Sequence, residues 1–165
     1  MQNDFTKGVA LALAPEDGRS FWQPLPSTGY ITAKITPYNS PYDNLATGIQ
    51  VLEPGTHIRR HAHERSHEIL FCYRGEGYAE LGDERHALVE ESMLLIGRGV
   101  QHKVVNTGAS QMRLMWVISP AGLEDWFEAI GRPRRIGEPM PAPFPRPDNV
   151  GEIQARQRFI PADRD

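Results

Sequence analysis

Along the first 120 residues, apolar and polar positions alternate in short runs, and glycine, proline or asparagine separates one run from the next. An alternation of period two puts successive side chains on opposite faces of a strand. The runs are read as strands over Tyr30 to Ile35, Thr47 to Leu52, Glu68 to Tyr73, Gly77 to Leu81, His86 to Val89, Met93 to Ile96, His102 to Val105 and Met112 to Ile118. Glu53-Pro54-Gly55, Arg74-Gly75-Glu76-Gly77, Gly82-Asp83-Glu84, Gly97-Arg98-Gly99 and Asn106-Thr107-Gly108 supply the turns. About eight strands at this spacing predict an all-β sandwich or barrel.

The period changes after Ser119 and Pro120. Leu123, Trp126, Phe127 and Ile130 form an i, i+3, i+4, i+7 stripe stopped by Gly131 and Pro133, which predicts one helix over an end or side of the barrel. Residues 139–147, PMPAPFPRP, cannot form a helix or an interior strand and are expected as an extended surface strap, with Phe144, Ile153 and Phe159 in need of burial. The expected layout is an N-terminal extension over 1–40 that packs on the barrel or a partner, a barrel over 41–119, a helix over 120–132 and a Pro-rich extension over 133–165.

Composition narrows the partners. A chain of 165 residues with 39% hydrophobic and 24% charged content suits one core and one site. A net charge of −3, from 21 acidic and 18 basic residues, provides no field to gather nucleic acid or an anionic membrane surface. No apolar run approaches the roughly 18 residues a membrane span requires, and the opening MQNDFTKG lacks the features of a signal peptide, so a soluble cytoplasmic protein is expected. The single cysteine, Cys72, fits a buried residue in a reducing compartment.

All six histidines lie within residues 57–102. His61 and His63, two apart, share a face if they lie on a strand and can chelate one ion. Glu68 opens the next strand, and His102 starts a later one after a turn shaped by Gly97 and Gly99. The alternative for these four is a polar strand end whose histidines serve as ordinary hydrogen-bonders. Three imidazoles and a carboxylate suit Fe(II), Mn(II), Ni(II), Co(II) or Zn(II) and leave positions open for small ligands.

These positions resemble the cupin superfamily, and in particular its single-domain metal-binding members. Gly55, His61, His63, Glu68 and Gly75 match every fixed position of its first motif. Gly99, His102 and Asn106 match the second, whereas Gly97 replaces a proline and Glu91 stands where a glycine is usual. The resemblance implies a double-stranded β-helix (jelly-roll) barrel with a short C-terminal helix and a Pro-rich tail, one divalent metal per chain, and a homodimer in which Tyr30 to Ile35 is a reasonable element to pair across the twofold axis.

Strand parity with His61 and His63 points Arg59 and His57 inward and Arg60 and Ile58 outward, so Arg59 is a candidate to orient substrate or clamp a carboxylate. Parity with Glu68 points Leu70 and Cys72 inward and His67 to the surface. Gln50, Met112, Trp116 and Leu114 are candidates for the cavity wall, with core packing as the alternative. Tyr30 and Tyr38 are candidates for catalytic roles at the pocket or at a partner subunit. Three functions fit: a non-heme Fe(II) dioxygenase acting on a small oxygenated compound, favoured for its apolar lining; a metal-dependent isomerase, lyase or cyclase with Tyr30, Tyr38, His57 or Glu53 as base; and a non-catalytic binding module. The substrate is expected to be a small molecule, anionic or carbonyl-containing.

Overall fold

A computed structural model of the chain describes residues 8–162. Its strands are β1 (Arg19–Trp22), β2 (Gly29–Ile35), β3 (Ala46–Leu52), β4 (His57–His63), β5 (His67–Arg74), β6 (Gly77–Leu81), β7 (Glu84–Leu88), β8 (Met93–Ile96), β9 (His102–Asn106), β10 (Met112–Ser119), β11 (Arg132–Pro133) and β12 (Phe159–Pro161). Two helices, α1 (Leu123–Ile130) and α2 (Val150–Arg156), complete the fold. The strands form two antiparallel sheets, ordered β11-β1-β2-β3-β10-β5-β8 and β12-β4-β9-β6-β7, packed face to face as a double-stranded β-helix. Among the described residues no helix is long and apolar enough to cross a membrane.

Alternation drives the packing. Met112, Leu114, Trp116 and Ile118 of β10 face inward, as do Leu70 and Cys72 of β5 and Val104 of β9, and all belong to one buried cluster. Trp116 lies against Gly48 of β3, where a Cβ would come within 2.6 Å of the indole and 2.3 Å of the Thr32 carbonyl, so only glycine leaves room for this ring. Helix α1 buries Leu123, Trp126, Phe127 and Ile130, the four positions of the stripe, and Phe127 meets the Trp116 ring at 5.7 Å.

Glu91, at the position usually held by glycine, has φ 70, so the backbone keeps the left-handed geometry without the residue that favours it. Asn106 is fully buried. Its amide donates to the carbonyls of Leu52 (3.0 Å) and Ser110 (2.9 Å), and its Oδ1 accepts from Gly108 N–H (3.0 Å), which closes the turn into β10.

Two expectations need correction. The Tyr30 to Ile35 strand is flanked by β1 and β3, so its hydrogen bonds are taken and it offers no edge to a second subunit. The two ends of that sheet are β11 and β8. His57–His63 is a strand in its own right, and β1, β11, α2 and β12 arise where no run was long enough to read. Residues 139–147 run without helix or strand, with Phe144 buried and its carbonyl accepting from Leu25 N–H at 2.9 Å. Beyond them α2 buries Ile153, and β12 pairs with β4, placing Phe159 opposite His63 and Pro161 opposite His61. The first seven and last three residues of the expected layout lie outside the described residues.

Candidate metal centre

His61 and His63 come from β4, Glu68 from β5 and His102 from β9; His61 and His102 are directly opposed across the β4–β9 ladder. One ligand atom from each of the four residues lies within 4.8 Å of the others, so the cluster can hold one metal ion. Glu68 Oε2 is 3.2 Å from His63 Nε2 and 3.1 Å from His102 Nε2.

The tautomers fit a cation. Nδ1–H of His61 donates to the Arg59 carbonyl at 2.8 Å, and Nδ1–H of His102 donates to the Val100 carbonyl at 2.9 Å. A carbonyl only accepts, so both neutral rings keep a bare Nε2 lone pair and a fixed orientation, as metal-binding imidazoles do. His102 Nε2 is buried without an aligned hydrogen bond, although the Glu68 carboxylate faces it. Lone pairs against a carboxylate oxygen repel unless a proton or a metal ion lies between them, and this donor set suits a divalent ion of borderline softness.

Electrostatics agree with that reading. Burial alone would raise the Glu68 carboxyl, but contact with His102 and His63 outweighs it and holds the group well below the usual carboxylate range. Burial, reinforced by His102 and His63, pushes His61 well below the ordinary imidazole value, which keeps it neutral and available as a donor.

The cluster opens into a cavity of about 210 Å³. Its apolar wall is formed by Ile58, Leu70, Leu123, Trp126, Phe127, Ile130 and Phe159, and its polar side includes Gln23, Gln50, Arg59, Arg60 and Arg146. The Phe159 ring contacts His63 at 4.8 Å and His61 at 5.5 Å and stacks on Trp126 at 4.5 Å. Gln50 Nε2 donates to Gln23 Oε1 at 2.6 Å, and Gln23 Nε2 to the Val51 carbonyl at 3.1 Å, so the two amides are fixed in orientation.

Of the candidates read from sequence, Gln50, Leu70 and Arg59 line this cavity. Cys72, Met112, Trp116 and Leu114 do not: all are fully buried in the core behind it. Strand parity brought them to the inner face, but packing between the sheets closes over them. The Cys72 thiol, raised by burial, donates weakly to the carbonyls of Arg74 and Gly75. Tyr30 is on the opposite face of its sheet, in a groove with Thr32 and Lys34, under the Arg134 guanidinium at 4.0 Å. Tyr38 is 60% exposed, with its hydroxyl on Asp125. Glu53 accepts from Gln111 at 2.8 Å, and neither Glu53 nor His57 lines the cavity.

The parity argument for β4 fails for a visible reason. Ile58 pairs with Val104 and His61 with His102, so three steps on β4 oppose two on β9, and the extra residue is a β-bulge at Arg59 and Arg60. Ile58 therefore packs against the core, and both arginines reach the cavity. Arg60 is tied down there by donating to the Gly82 carbonyl and by the Glu80 carboxylate at 3.6 Å. Sequence reading also missed Arg146 and Phe159 as wall residues; the strap and its need for burial were the available signal.

Residues 48–118 match the family model described as Cupin domain. Protein SchB of Streptomyces halstedii is 32% identical over 92 residues, which are 56% of this chain and 67% of that protein. The tetracenomycin polyketide synthase protein TcmJ of Streptomyces glaucescens is 26% identical over 123 residues, 74% of this chain and 79% of its own. Among solved structures, a predicted oxalate decarboxylase from Thermotoga maritima superposes with a TM-score of 0.57 at 18% identity, over 67% of this chain and 98% of that one, which speaks to the fold alone. With the four-donor cluster at the mouth of a double-stranded β-helix, the motif spacing and these likenesses, the chain belongs to the cupin superfamily.

Proposed function

We propose that this protein is a metal-dependent enzyme acting on a polyketide-type compound, one whose neighbouring oxygens can chelate an ion, and that the reaction is an oxygenation of the dioxygenase class. The observation that carries the reading is the cavity itself: three imidazoles and one carboxylate converge at one end of a largely apolar, aromatic pocket. A divalent ion on these donors supplies a Lewis-acid or redox centre with open coordination positions, and Fe(II) is the ion this reading favours. The name of the relative TcmJ, a tetracenomycin polyketide synthase protein, supports the substrate class.

The chain's residues bear on the reaction type. Among the described residues that line the cavity, the titratable groups with ordinary pKa values near neutrality or below all belong to the ligand set. Isomerisation or ring closure by a side-chain base would draw on Tyr30, Tyr38, His57 or Glu53, and the cavity lining includes none of them. Oxygen chemistry asks the protein for less. His61, His63, Glu68 and His102 hold the ion, Arg59 and the fixed Gln23–Gln50 amides orient the substrate, and the Phe159, Trp126 and Phe127 rings exclude water. A ring-closing role remains the second reading, favoured by the relatives' place in polyketide synthesis.

The test is anaerobic reconstitution with Fe(II), followed by oxygen-electrode and product assays on a panel of β-diketones, naphthols and anthrones. Oxygen uptake stoichiometric with substrate loss supports oxygenation. Turnover that proceeds equally well without oxygen overturns it in favour of ring closure or isomerisation. For assembly we propose a homodimer through β8, the sheet end where Met93 and Leu95 stand 64% and 71% exposed. Light scattering on the wild type and on Leu95→Glu checks this, and a monomeric wild type overturns it.

A further inference from the structure

We infer that the cavity takes a planar compound bearing a hydroxyl at the end remote from the four-donor cluster, and that Gln50 Oε1, aimed by Gln23, accepts the hydrogen bond from that hydroxyl. This deepens the function proposed above and rests on it for the identity of the reacting end.

The first ground is polarity. The Val51 carbonyl can only accept, so the Gln23 amide beside it must present Nε2, at 3.1 Å. That turns Gln23 Oε1 toward Gln50, and an oxygen there requires the Gln50 nitrogen, at 2.6 Å. Val51 itself is held in the ladder between Tyr30 and Arg113, so the starting point of the chain does not move. The polarity of one backbone carbonyl is thus handed along two amides, and Gln50 Oε1 is the atom left for the cavity that the residue lines. Among the described residues no donor is seated on it.

The second ground is place. Glu68 lies opposite Ile118 of β10 and Gln50 opposite Leu114, so four residues of β10, about 13 Å of strand, separate their rows. Both line the same cavity, the carboxylate at the metal end and the amide at the other. Between them the wall is aromatic, with Phe159 stacked on Trp126 at 4.5 Å and 29° between ring planes. A flat molecule lying along this wall has one end at the donors and the other at Gln50. The neighbouring Ser27 hydroxyl is already donated to the His57 carbonyl at 2.8 Å.

The third ground is what such an end rejects. Gln23 and Gln50 are each 5% exposed, so a ligand that fills the cavity displaces the water that would otherwise serve Oε1. A ligand without a donor then leaves the oxygen buried and unpaired, and a site built on a hydrogen bond discriminates most strongly against the analogue that lacks it. Each amide nitrogen also carries a second N–H, so the group that satisfies this end in full both donates and accepts. A hydroxyl does both, whereas an ether or a carbonyl only accepts and an ammonium only donates. The anchored pair loses little entropy on meeting such a ligand.

The test compares 6-hydroxycoumarin with coumarin, which share a fused ring and a lactone and differ in one hydroxyl. Calorimetric titrations use the full chain dialysed against EDTA, so no ion contributes, near pH 7, where a phenolic hydroxyl keeps its proton. The wild type is expected to bind the hydroxylated compound about tenfold tighter. Gln50→Leu is expected to bring the two affinities within about twofold without weakening coumarin, because the wall is intact. Gln23 is a positioning residue: Gln23→Leu frees the Gln50 amide to turn, so the preference should fall by about threefold while 6-methoxycoumarin gains on coumarin. A side chain that only supports the wall would weaken all three ligands together. Equal affinities in the wild type or binding of neither compound overturns the inference. So does a preference undiminished in Gln50→Leu, which would seat the hydroxyl on the bare imidazole nitrogens instead. Should Gln50→Leu not fold, Gln23→Leu carries the comparison, and an unchanged ratio there is equally fatal. Because the measurement excludes metal, its failure leaves the metal-dependent reading standing, and failure of that reading leaves this ratio untouched.

Discussion

Removing His102 should abolish the stabilisation that metal confers while leaving the barrel folded. His102 is 1% exposed, its Nδ1–H is fixed on the Val100 carbonyl, and its Nε2 faces the cluster. Suppose the intact four-donor site binds Ni(II) or Mn(II) with a Kd about one hundredth of the free metal concentration. Folding then gains about 2.7 kcal/mol, which for a chain of 165 residues is roughly 5–11 °C in Tm. Loss of one of four ligands weakens binding by about a hundredfold or more, since even the groups that orient ligands cost 10–100-fold. At the same metal concentration His102→Ala then gains only about 0.4 kcal/mol, or roughly 1–2 °C. The assay is differential scanning fluorimetry at about pH 7.5, above the ordinary imidazole value, with each protein measured in EDTA and across a metal titration. The quantity read is the increment between the two conditions, which separates lost coordination from the cost of truncating a buried ring. A full increment in His102→Ala, or no increment in the wild type with any of Mn(II), Fe(II), Co(II), Ni(II) and Zn(II), would refute the ligand assignment.

Three further outcomes follow from geometry outside the ligand set. Glu91→Gly should stabilise the chain: φ 70 costs a side-chain-bearing residue about 1 kcal/mol, glycine's looser unfolded state takes back roughly half, and thermal melting should rise by about 1–2 °C. Asn106→Ala takes the amide donor from the buried Leu52 carbonyl and the part-buried Ser110 carbonyl and leaves Gly108 N–H only its 3.2 Å bond to the Glu76 carbonyl, so urea unfolding should show a loss of about 2 kcal/mol with the metal increment unchanged; a loss below about 0.5 kcal/mol would mean that water repairs the turn. Burial raises the Glu124 carboxyl, only partly opposed by Gly122 N–H at 2.9 Å. A raised folded-state pKa means that its contribution is fully present below the unfolded value of about 4.5 and is lost as pH rises through the folded value. Glu124→Gln should therefore gain on the wild type as pH rises through that window, and a constant difference in chemical-denaturation stability from pH 4 to 8 counts against it.

How much could be read from the chain depended on whether a signal was local. Helix α1 was legible because its stripe, its stop at Gly131 and the burial of Leu123, Trp126, Phe127 and Ile130 all lie within one short segment. The strands from Gly29 to Ser119 other than β4 were legible to within two residues for the same reason, and the four donors were legible because of their fixed spacing. The C-terminal pieces were not. Helix α2 has seven residues with a glycine among them, too short for a periodic stripe, and β12 has three, so both depend on docking against α1 and β4.

The cavity wall shows where local reading stops. Alternation from His61 predicts that Ile58 and Arg60 turn outward, and it would be right for an unbroken ladder. The bulge between Ile58 and His61 cancels one step of parity, and nothing in the residues IRRH announces it. Both arginines then reach the pocket, and Ile58 joins the core. Parity assigns a side chain to a face and says nothing of whether that face is hollow at that depth. Leu70 and Cys72 share a face of β5 two residues apart, yet Leu70 lines the cavity while Cys72, opposite Leu114, is sealed in the core. What hollows the barrel near Glu68 is the ring of residues contributed by α1, β12 and the proline-rich strap, all distant in sequence from the cupin motifs. The metal ligands belong to the motif, whereas the shape and charge that choose a substrate belong to the segments that close over it.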